Sequence, residues 1–306
     1  MEADVVIIGG GPAGLTAGLY TSRARMKTVL VEKGILGGQV TNVAKIENYP
    51  GVGDVNGADL IDQMTAQARR FGVEIISGDV LEVCNSELCR NVTLEDGTII
   101  TAKAMIVATG ADPIKLKIPG EKEFMGRGVS YCATCDGSFF RDLTVAVVGG
   151  GDSAVEEAIF LTRFAKEVIV IHRRNKLRAQ KIIQERAFAT PRLRFIWDTT
   201  VEKVNGEHFV TSIDLVNLKT GEKSNLPADG IFIYVGNTPN TDFLRGVVAL
   251  DESGYVITQN DVETSSPGIF AAGDVRRKLL RQISTAVGDG ATAAVVAEKY
   301  IESQHA

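Results

Sequence analysis

Residues 5–14 read VVIIGGGPAG. The first four are apolar and mostly β-branched, the run that a strand buried on both faces requires, and the glycines then turn the chain into a helix pattern through Leu15, Leu19 and Tyr20. Thr28 to Glu32 makes the next strand. Between strand and helix, the spacing G-x-G-x-x-G has a physical meaning. Gly9 permits the turn, Gly11 lets the backbone close on a pyrophosphate at the helix N-terminus, and Gly14 lets helix and strand pack tightly. Pro12 and Ala13 fall inside the same turn, and Glu32 ends the second strand, where an acid reaches ribose hydroxyls. The bland alternative is a glycine-rich chain reversal; the flanking strand and helix, with the acid at its required distance, argue against it.

The pattern occurs again at residues 145–154, VAVVGGGDSA. Leu143 to Val148 reads as a buried strand, Gly149-Gly150-Gly151-Asp152-Ser153-Ala154 opens a helix through Glu156, Ala158 and Leu161, and Val168 to Ile171 is the following strand. Ala154 stands in place of the third glycine, a permitted variant. After the second strand the chain offers His172-Arg173-Arg174 and then Arg178 instead of an acid. A carboxylate there would repel a 2'-phosphate, whereas an arginine fork binds one bidentately. The first unit therefore suits a dinucleotide with a free ribose and the second suits NADPH.

Two such units give an α/β fold class with two Rossmann-like dinucleotide-binding domains, and the chain order predicts that the second is inserted into the first. Lys103 to Thr109 reads as a strand ending at Gly110 and broken by Pro113, while Gly230 to Val235 is a strand ending in Gly236-Asn237-Thr238-Pro239-Asn240. A short apolar run, Gly268 to Ala272, then stops at Gly273-Asp274, and a helix pattern starts near Gln282. Crossings near Pro113 and Asn240 place residues 1–112 and 245–306 in the first domain and 113–244 in the second. Alternating stretches at Asn91 to Thr101 and Phe209 to Leu218 read as antiparallel hairpins added to each domain.

The bulk numbers read as those of an ordinary soluble globular protein. The chain has 306 residues, 44% of them hydrophobic and 23% charged, with a formal net charge of −5, so nothing favours nucleic acid as a partner. The opening MEADVVIIGGG lacks the positive stretch of a signal peptide, and no apolar run reaches the roughly 18 residues of a membrane span. A cytoplasmic location is expected. In that compartment a C-x-x-C pair such as Cys132 and Cys135 is catalytic or metal-binding more often than a structural staple.

Taken in order, these motifs resemble the bacterial low-molecular-weight thioredoxin reductases. The resemblance rests on Gly9 to Gly14, Gly37-Gly38-Gln39, Glu47-Asn48-Tyr49-Pro50-Gly51, Cys132-Ala133-Thr134-Cys135-Asp136, Gly149 to Ala154 with His172-Arg173-Arg174, and Ala272-Gly273-Asp274 with Arg281-Gln282. It implies FAD in the first unit, held by Gly9, Gly11, Pro12, Ala13, Gly14, Glu32, Gly38, Gln39 and Asn48, together with Val80, Gly110, Gly273, Asp274, Arg281, Gln282 and Ile283. It implies NADPH in the second, at Gly149, Gly151, Asp152, Ser153, Ala154, His172, Arg173, Arg174, Arg178 and Gly236. Thioredoxin or a thioredoxin-like protein is the implied substrate, and a homodimer the implied assembly. Three features depart from the pattern: the spacing of Cys84 and Cys89, Tyr131 ahead of the cysteine pair, and the basic loop Arg276-Arg277-Lys278.

A zinc site would need four ligands, and beyond the pair the chain offers only Cys84, Cys89 and the scattered His172, His208 and His305, so no metal is expected. A redox couple is favoured, because a two-residue spacing closes a small disulfide ring and a turn-to-helix setting raises thiolate reactivity. Asp136 follows directly, placed as proton donor; its alternative is a turn aspartate before Gly137. The resemblance gives Cys135 the flavin-facing role and Cys132 the attack on the partner. Because the flavin cannot meet the nicotinamide and the disulfide together, a rotation of the inserted domain between half-reactions is expected. The competing readings are a flavin disulfide oxidase, against which the arginine cluster speaks, a redox-silent flavoprotein, and a reductase serving another thioredoxin-like or peroxidase partner.

Overall fold

The structure, a computed structural model, describes residues 1–43, 46, 49–53, 55–86 and 89–304, with the side chains of all but Asn42, Thr134 and Cys135. Two units emerge, Met1–Asp112 with Thr238–Ala306, and Pro113–Asn237. The first crossing falls where the sequence puts it; the second lies between Asn237 and Thr238, seven residues earlier than the expected 244/245 boundary. The reason is local. Thr109 Oγ1 donates to the Asn240 carbonyl at 2.7 Å, Thr241 Oγ1 donates to the Gly254 carbonyl at 2.8 Å, and Leu244 is fully buried in the first unit's core.

In the first unit, parallel strands Glu74–Ser77, Thr28–Glu32, Glu2–Ile8 and Ile99–Val107 lie side by side in that order. Ile99–Val107 is shared. Its first half pairs antiparallel with Arg90–Leu94, and its second half pairs parallel with the late strand Ile269–Ala271 in the register Ile269↔Met105. Val5, Val6 and Ile7 are wholly inaccessible, as a strand covered on both faces must be. Helix Pro12–Arg23 has proline at its start, where a missing N–H costs nothing. It packs against the closing helix Ile283–Ser303 through Ala13, Ala17, Ala293 and Ala297. The approach is close: a Cβ on Gly290 would strike the Ala13 carbonyl oxygen.

The second unit repeats the plan with Leu193–Ile196, Glu167–Ile171, Thr144–Gly149, Gly230–Tyr234 and Val129–Ser130 in one parallel sheet. Helix Asp152–Leu161 lies on it through Ala154, Ala158 and Leu161. Residues 210–217 correct an expectation: Val210–Asn217 is a single strand, the middle of an antiparallel trio with Thr199–Gly206 and Lys223–Pro227. Alternation reports a half-buried strand without saying whether a turn interrupts it. The stretch from Asn91 to Thr101, by contrast, does contain a turn between paired strands.

Candidate active site

Both glycine loops are built for a phosphate to approach. Gly9 has φ +106° and sits on the Ala108 carbonyl, and a Cβ on Gly14 would overlap the Gly9 carbonyl oxygen. Gly11 faces open space, with the nearest atom to an added Cβ 4.0 Å away. In the second loop Gly149 has φ +151° and lies against the Tyr234 carbonyl and the Ala154 methyl, while a Cβ on Gly151 would meet nothing within 4 Å. Each middle glycine is thus open to a ligand approaching the backbone at a helix start. Gly14→Ala is expected to push the loop and its helix apart at a cost of about 1–3 kcal/mol, the usual range for overpacking. The protein should then melt earlier, which calorimetry would measure.

Glu32 is more engaged than the sequence suggests. Its carboxylate accepts the Gly10 N–H at 2.7 Å and the Gly34 N–H at 2.8 Å, pinning the glycine loop from below. It also borders a cavity of about 400 Å³ that Gly9, Val80, Thr109 and Asn240 help to line. The other implied FAD residues approach from the chain's last quarter. Gly273, at φ +78°, donates its N–H to Asp289 Oδ2 at 3.0 Å. Beside it Asp274 Oδ1 is buried with no partner, and burial raises that carboxyl above its usual range against the pull of Lys278 and Arg281. Arg281 lies over the Tyr255 ring at 4.2 Å, with its Nε buried and unpaired. A buried acceptor and a buried donor left open suit the hydroxyls and phosphates of a flavin dinucleotide. Gln282 caps the final helix in a capping box with Thr285, and half-buried Ile283 begins it. Gln39 donates to Asp112 at 2.8 Å, Gly38 is open, and Gly110 (φ +67°) accepts the Asn240 N–H. Asn48 lies outside the described residues. The basic loop is accounted for within the first unit: Arg276 and Lys278 both pair with Asp289, at 2.9 and 2.7 Å.

In the second unit the segment after Ile171 folds back onto its glycine loop. Arg178 N–H and Ala179 N–H both donate to the Gly150 carbonyl, and Asp152 Oδ1 accepts the Gln180 N–H at 2.6 Å. Arg173, Arg174 and Arg178 are exposed, as is Ser153. His172 is placed differently from its neighbours. It is buried under Gly150, where its ring fills the space a Cβ would take, and Nε2 has no partner. Burial first, then the charges of Arg178, Arg174 and Arg173, hold its pKa below the usual value despite an opposing hydrogen bond that the imidazole donates to the Lys176 backbone. The imidazole packs beneath the loop, and the cationic face belongs to the three arginines. Gly236 has φ +129° and accepts the Ile114 N–H at 2.9 Å.

Cys132 is half-buried and disulfide-bonded, whereas Cys84 and Cys89 are free thiols. Its N–H donates to Ser130 Oγ at 3.0 Å, and its carbonyl accepts the Asp136 N–H at 3.1 Å, closing one turn over Ala133–Asp136. The Cys135 side chain lies outside what the structure describes. Two anchors here went unpredicted. Buried Glu121 accepts the Leu116 and Lys117 N–H groups and the Tyr131 hydroxyl at 2.6–2.8 Å, which explains the large residue ahead of Cys132. On the other side Tyr234 Oη accepts the Ala133 N–H at 2.5 Å, near Glu157. The available signal for Glu157 was an acid one residue before buried Ala158 on the sheet-facing side of its helix. Among the described residues no cluster of three or more His, Cys, Asp or Glu is placed to hold a metal.

The model of the pyridine nucleotide-disulphide oxidoreductase family matches residues 3–290. A thioredoxin reductase of Listeria innocua is 52% identical over 300 residues, 98% of this chain and 94% of that protein. The thioredoxin reductase of Bacillus subtilis is 48% identical over 98% of this chain and 95% of its own length. Among solved structures, Lactococcus lactis thioredoxin reductase in its FR conformation superposes with a TM-score of 0.83 at 49% identity, covering 98% of this chain and 99% of that one.

Proposed function

Because the chain belongs to the pyridine nucleotide-disulphide oxidoreductase family, among its thioredoxin reductases, we propose that it is a flavoprotein that uses NADPH to reduce the disulfide of thioredoxin. In this reading the first unit holds FAD through its glycine loop, Glu32, Asp274 and Arg281, and the second holds NADPH through Gly151 and the three arginines. Bound FAD supplies the means of taking a hydride from NADPH and releasing two electrons to a disulfide. Cys132 and Cys135 are the couple: opened by two electrons, they leave a thiolate at Cys132 that attacks the partner's disulfide to form a mixed disulfide. Cys135 then displaces the partner as a reduced dithiol and restores the pair, and Asp136 supplies the proton a leaving sulfur needs. The observation that carries the reading is a disulfide-bonded Cys132 in the same unit as a glycine loop flanked by three exposed arginines.

The arrangement also supports rotation of the second unit between half-reactions, about crossings only a few residues long. Each unit ties its own two ends together, Asn240 to Thr109 and Gly110 in one, Ile114 to Gly236 in the other. The same reading makes a second copy of the chain its partner and the cytosol its compartment; among the described residues no helix is long and apolar enough to cross a membrane. The test is anaerobic. NADPH should bleach the flavin absorbance with NADH far less effective, and oxidised thioredoxin should restore it. Flavin that stays oxidised under NADPH would exclude the proposal.

A further inference from the structure

Three parallel strands of the second unit deliver the nucleotide loop and the cysteine pair to the same edge of one sheet. Thr144–Gly149 ends in the glycine loop, Val129–Ser130 ends two residues before Cys132, and Gly230–Tyr234 lies between them, in the registers Tyr234↔Gly149 and Phe232↔Ser130. Tyr234 is therefore the residue at which the two segments part. Its backbone serves the loop: a Cβ on Gly149 would strike the Tyr234 carbonyl oxygen. Its side chain serves the other segment. The ring packs against the cluster that contains Ala133, Val147 and Ala154, and Oη accepts the Ala133 N–H at 2.5 Å. Ala133 follows Cys132 and opens the turn that runs to Asp136, and it is fully buried, so water cannot stand in for the phenol.

We propose that Tyr234 is a positioning residue for the redox pair, its hydroxyl fixing the turn from Cys132 to Asp136 at a set place beside the nucleotide loop. The inference rests on the reading of Cys132 and Cys135 as the redox couple. In that reading two segments of one unit act in alternation, so each must be held firmly on the unit that carries it, and the end of one strand supplies both holds. Ser130 Oγ takes the Cys132 N–H and Glu121 takes the Tyr131 hydroxyl, both on the near side of the pair. Tyr234 grips the segment between the two cysteines. Without its hydroxyl the buried Ala133 N–H loses its acceptor, a cost that drives the turn to move until another is found. The cysteines would then be chemically intact and misplaced. When the disulfide opens, two electrons enter the S–S bond, one proton is taken up and one sulfur remains as a thiolate; the Tyr234 hydroxyl has no part in that balance.

Tyr234→Phe keeps the ring and the strand and removes one oxygen. Wild type and variant, both full-length and FAD-loaded, would be mixed anaerobically with NADPH. Absorbance gives the rate of flavin bleaching, and rapid alkylation with mass spectrometry gives the rate at which Cys132 becomes a thiol. Bleaching should be unchanged, whereas appearance of the Cys132 thiol should slow on the order of a hundredfold, the loss that about an ångström of misplacement brings. Hydrogen exchange of the oxidised protein, with no NADPH present, reads the contact directly: the Ala133 amide should exchange about tenfold faster in the variant, the worth of one hydrogen bond. Unchanged exchange at Ala133, or unchanged appearance of the thiol, would overturn the role of Tyr234 and leave the redox assignment standing. Bleaching lost in step with the thiol would overturn it too, because Tyr234 would then support the unit as a whole. A wild-type Cys132 that never becomes a thiol under NADPH would overturn the redox assignment itself and the inference with it.

Discussion

Cys132→Ser is expected to abolish thioredoxin reduction while leaving FAD bound and NADPH still able to bleach it. The groups read as holding FAD, from Gly9 and Glu32 to Asp274 and Arg281, all lie in the first unit, whereas Cys132 belongs to the second. Within the second unit, Ser130 and the turn to Asp136 hold the Cys132 backbone, while the nucleotide groups are Gly151 and the arginines. The substitution removes one sulfur and nothing that binds a nucleotide. A serine hydroxyl can neither receive the two electrons as half of a disulfide nor form a mixed disulfide with the partner. The loss in turnover should be on the order of 10⁶, the scale seen when a covalent nucleophile is removed. Stopped-flow absorbance would follow the flavin and an insulin-coupled assay the turnover; near-normal turnover would rule out Cys132 as half of the couple.

Replacing Arg173, Arg174 and Arg178 together by glutamine should weaken NADPH roughly a thousandfold and leave NADH nearly unchanged. Charge-assisted contacts to a phosphate contribute about 1.5–3 kcal/mol each, so at least about tenfold per arginine is at stake when all three engage. The structure makes the cluster a unit: all three are exposed, all three are felt at the buried His172, and Arg178 is fixed to the glycine loop through its own backbone. None reaches a group that NADH shares with NADPH in this reading. Parallel titrations of both nucleotides would decide, since equal losses would mean the arginines support the loop instead of reading the 2'-phosphate. His172→Asn separates the two roles further, because a buried ring under Gly150 should affect both nucleotides alike.

What could be read in advance was whatever the chain encodes locally. A strand, a glycine turn and a helix start lie within ten residues of one another, so Gly9 to Gly14 and Gly149 to Ala154 announce themselves. The arginines follow at the end of the next strand for the same reason. Except for Glu121, whose partners lie within ten residues, the anchors that escaped notice are joined across longer separations: Glu32 to the loop 22 residues before it, Tyr234 to Ala133 across 101 residues, Asp289 to Arg276 across a turn and a helix. No periodicity carries such information, because one polar residue on a buried face looks the same whether it serves a partner or faces a gap. The misplaced second boundary has the same origin. Thr241 and Leu244 sit in a stretch without strong periodicity, and only their contacts with Gly254 and the core assign them to the first unit.

The late strand Ile269–Ala271 completes the middle of the first unit's sheet, and the helix Ile283–Ser303 covers it, although both leave the ribosome after the whole second unit has been made. The first unit therefore emerges as an unfinished half with the second edge of Met105, Ile106 and Val107 unpaired until the late strand follows the inserted unit. The inserted unit, continuous from Pro113 to Asn237, has every strand of its own sheet available sooner. Order of synthesis and order of the chain thus run opposite to order of completion: the segment that begins last in the nested plan is the first able to close, and the segment that begins the chain waits for its final helix. The alanine and glycine seam where that helix meets Ala13 and Ala17 then forms late, so the nucleotide loop that Ala13 belongs to acquires its support only after the whole inserted unit has been made.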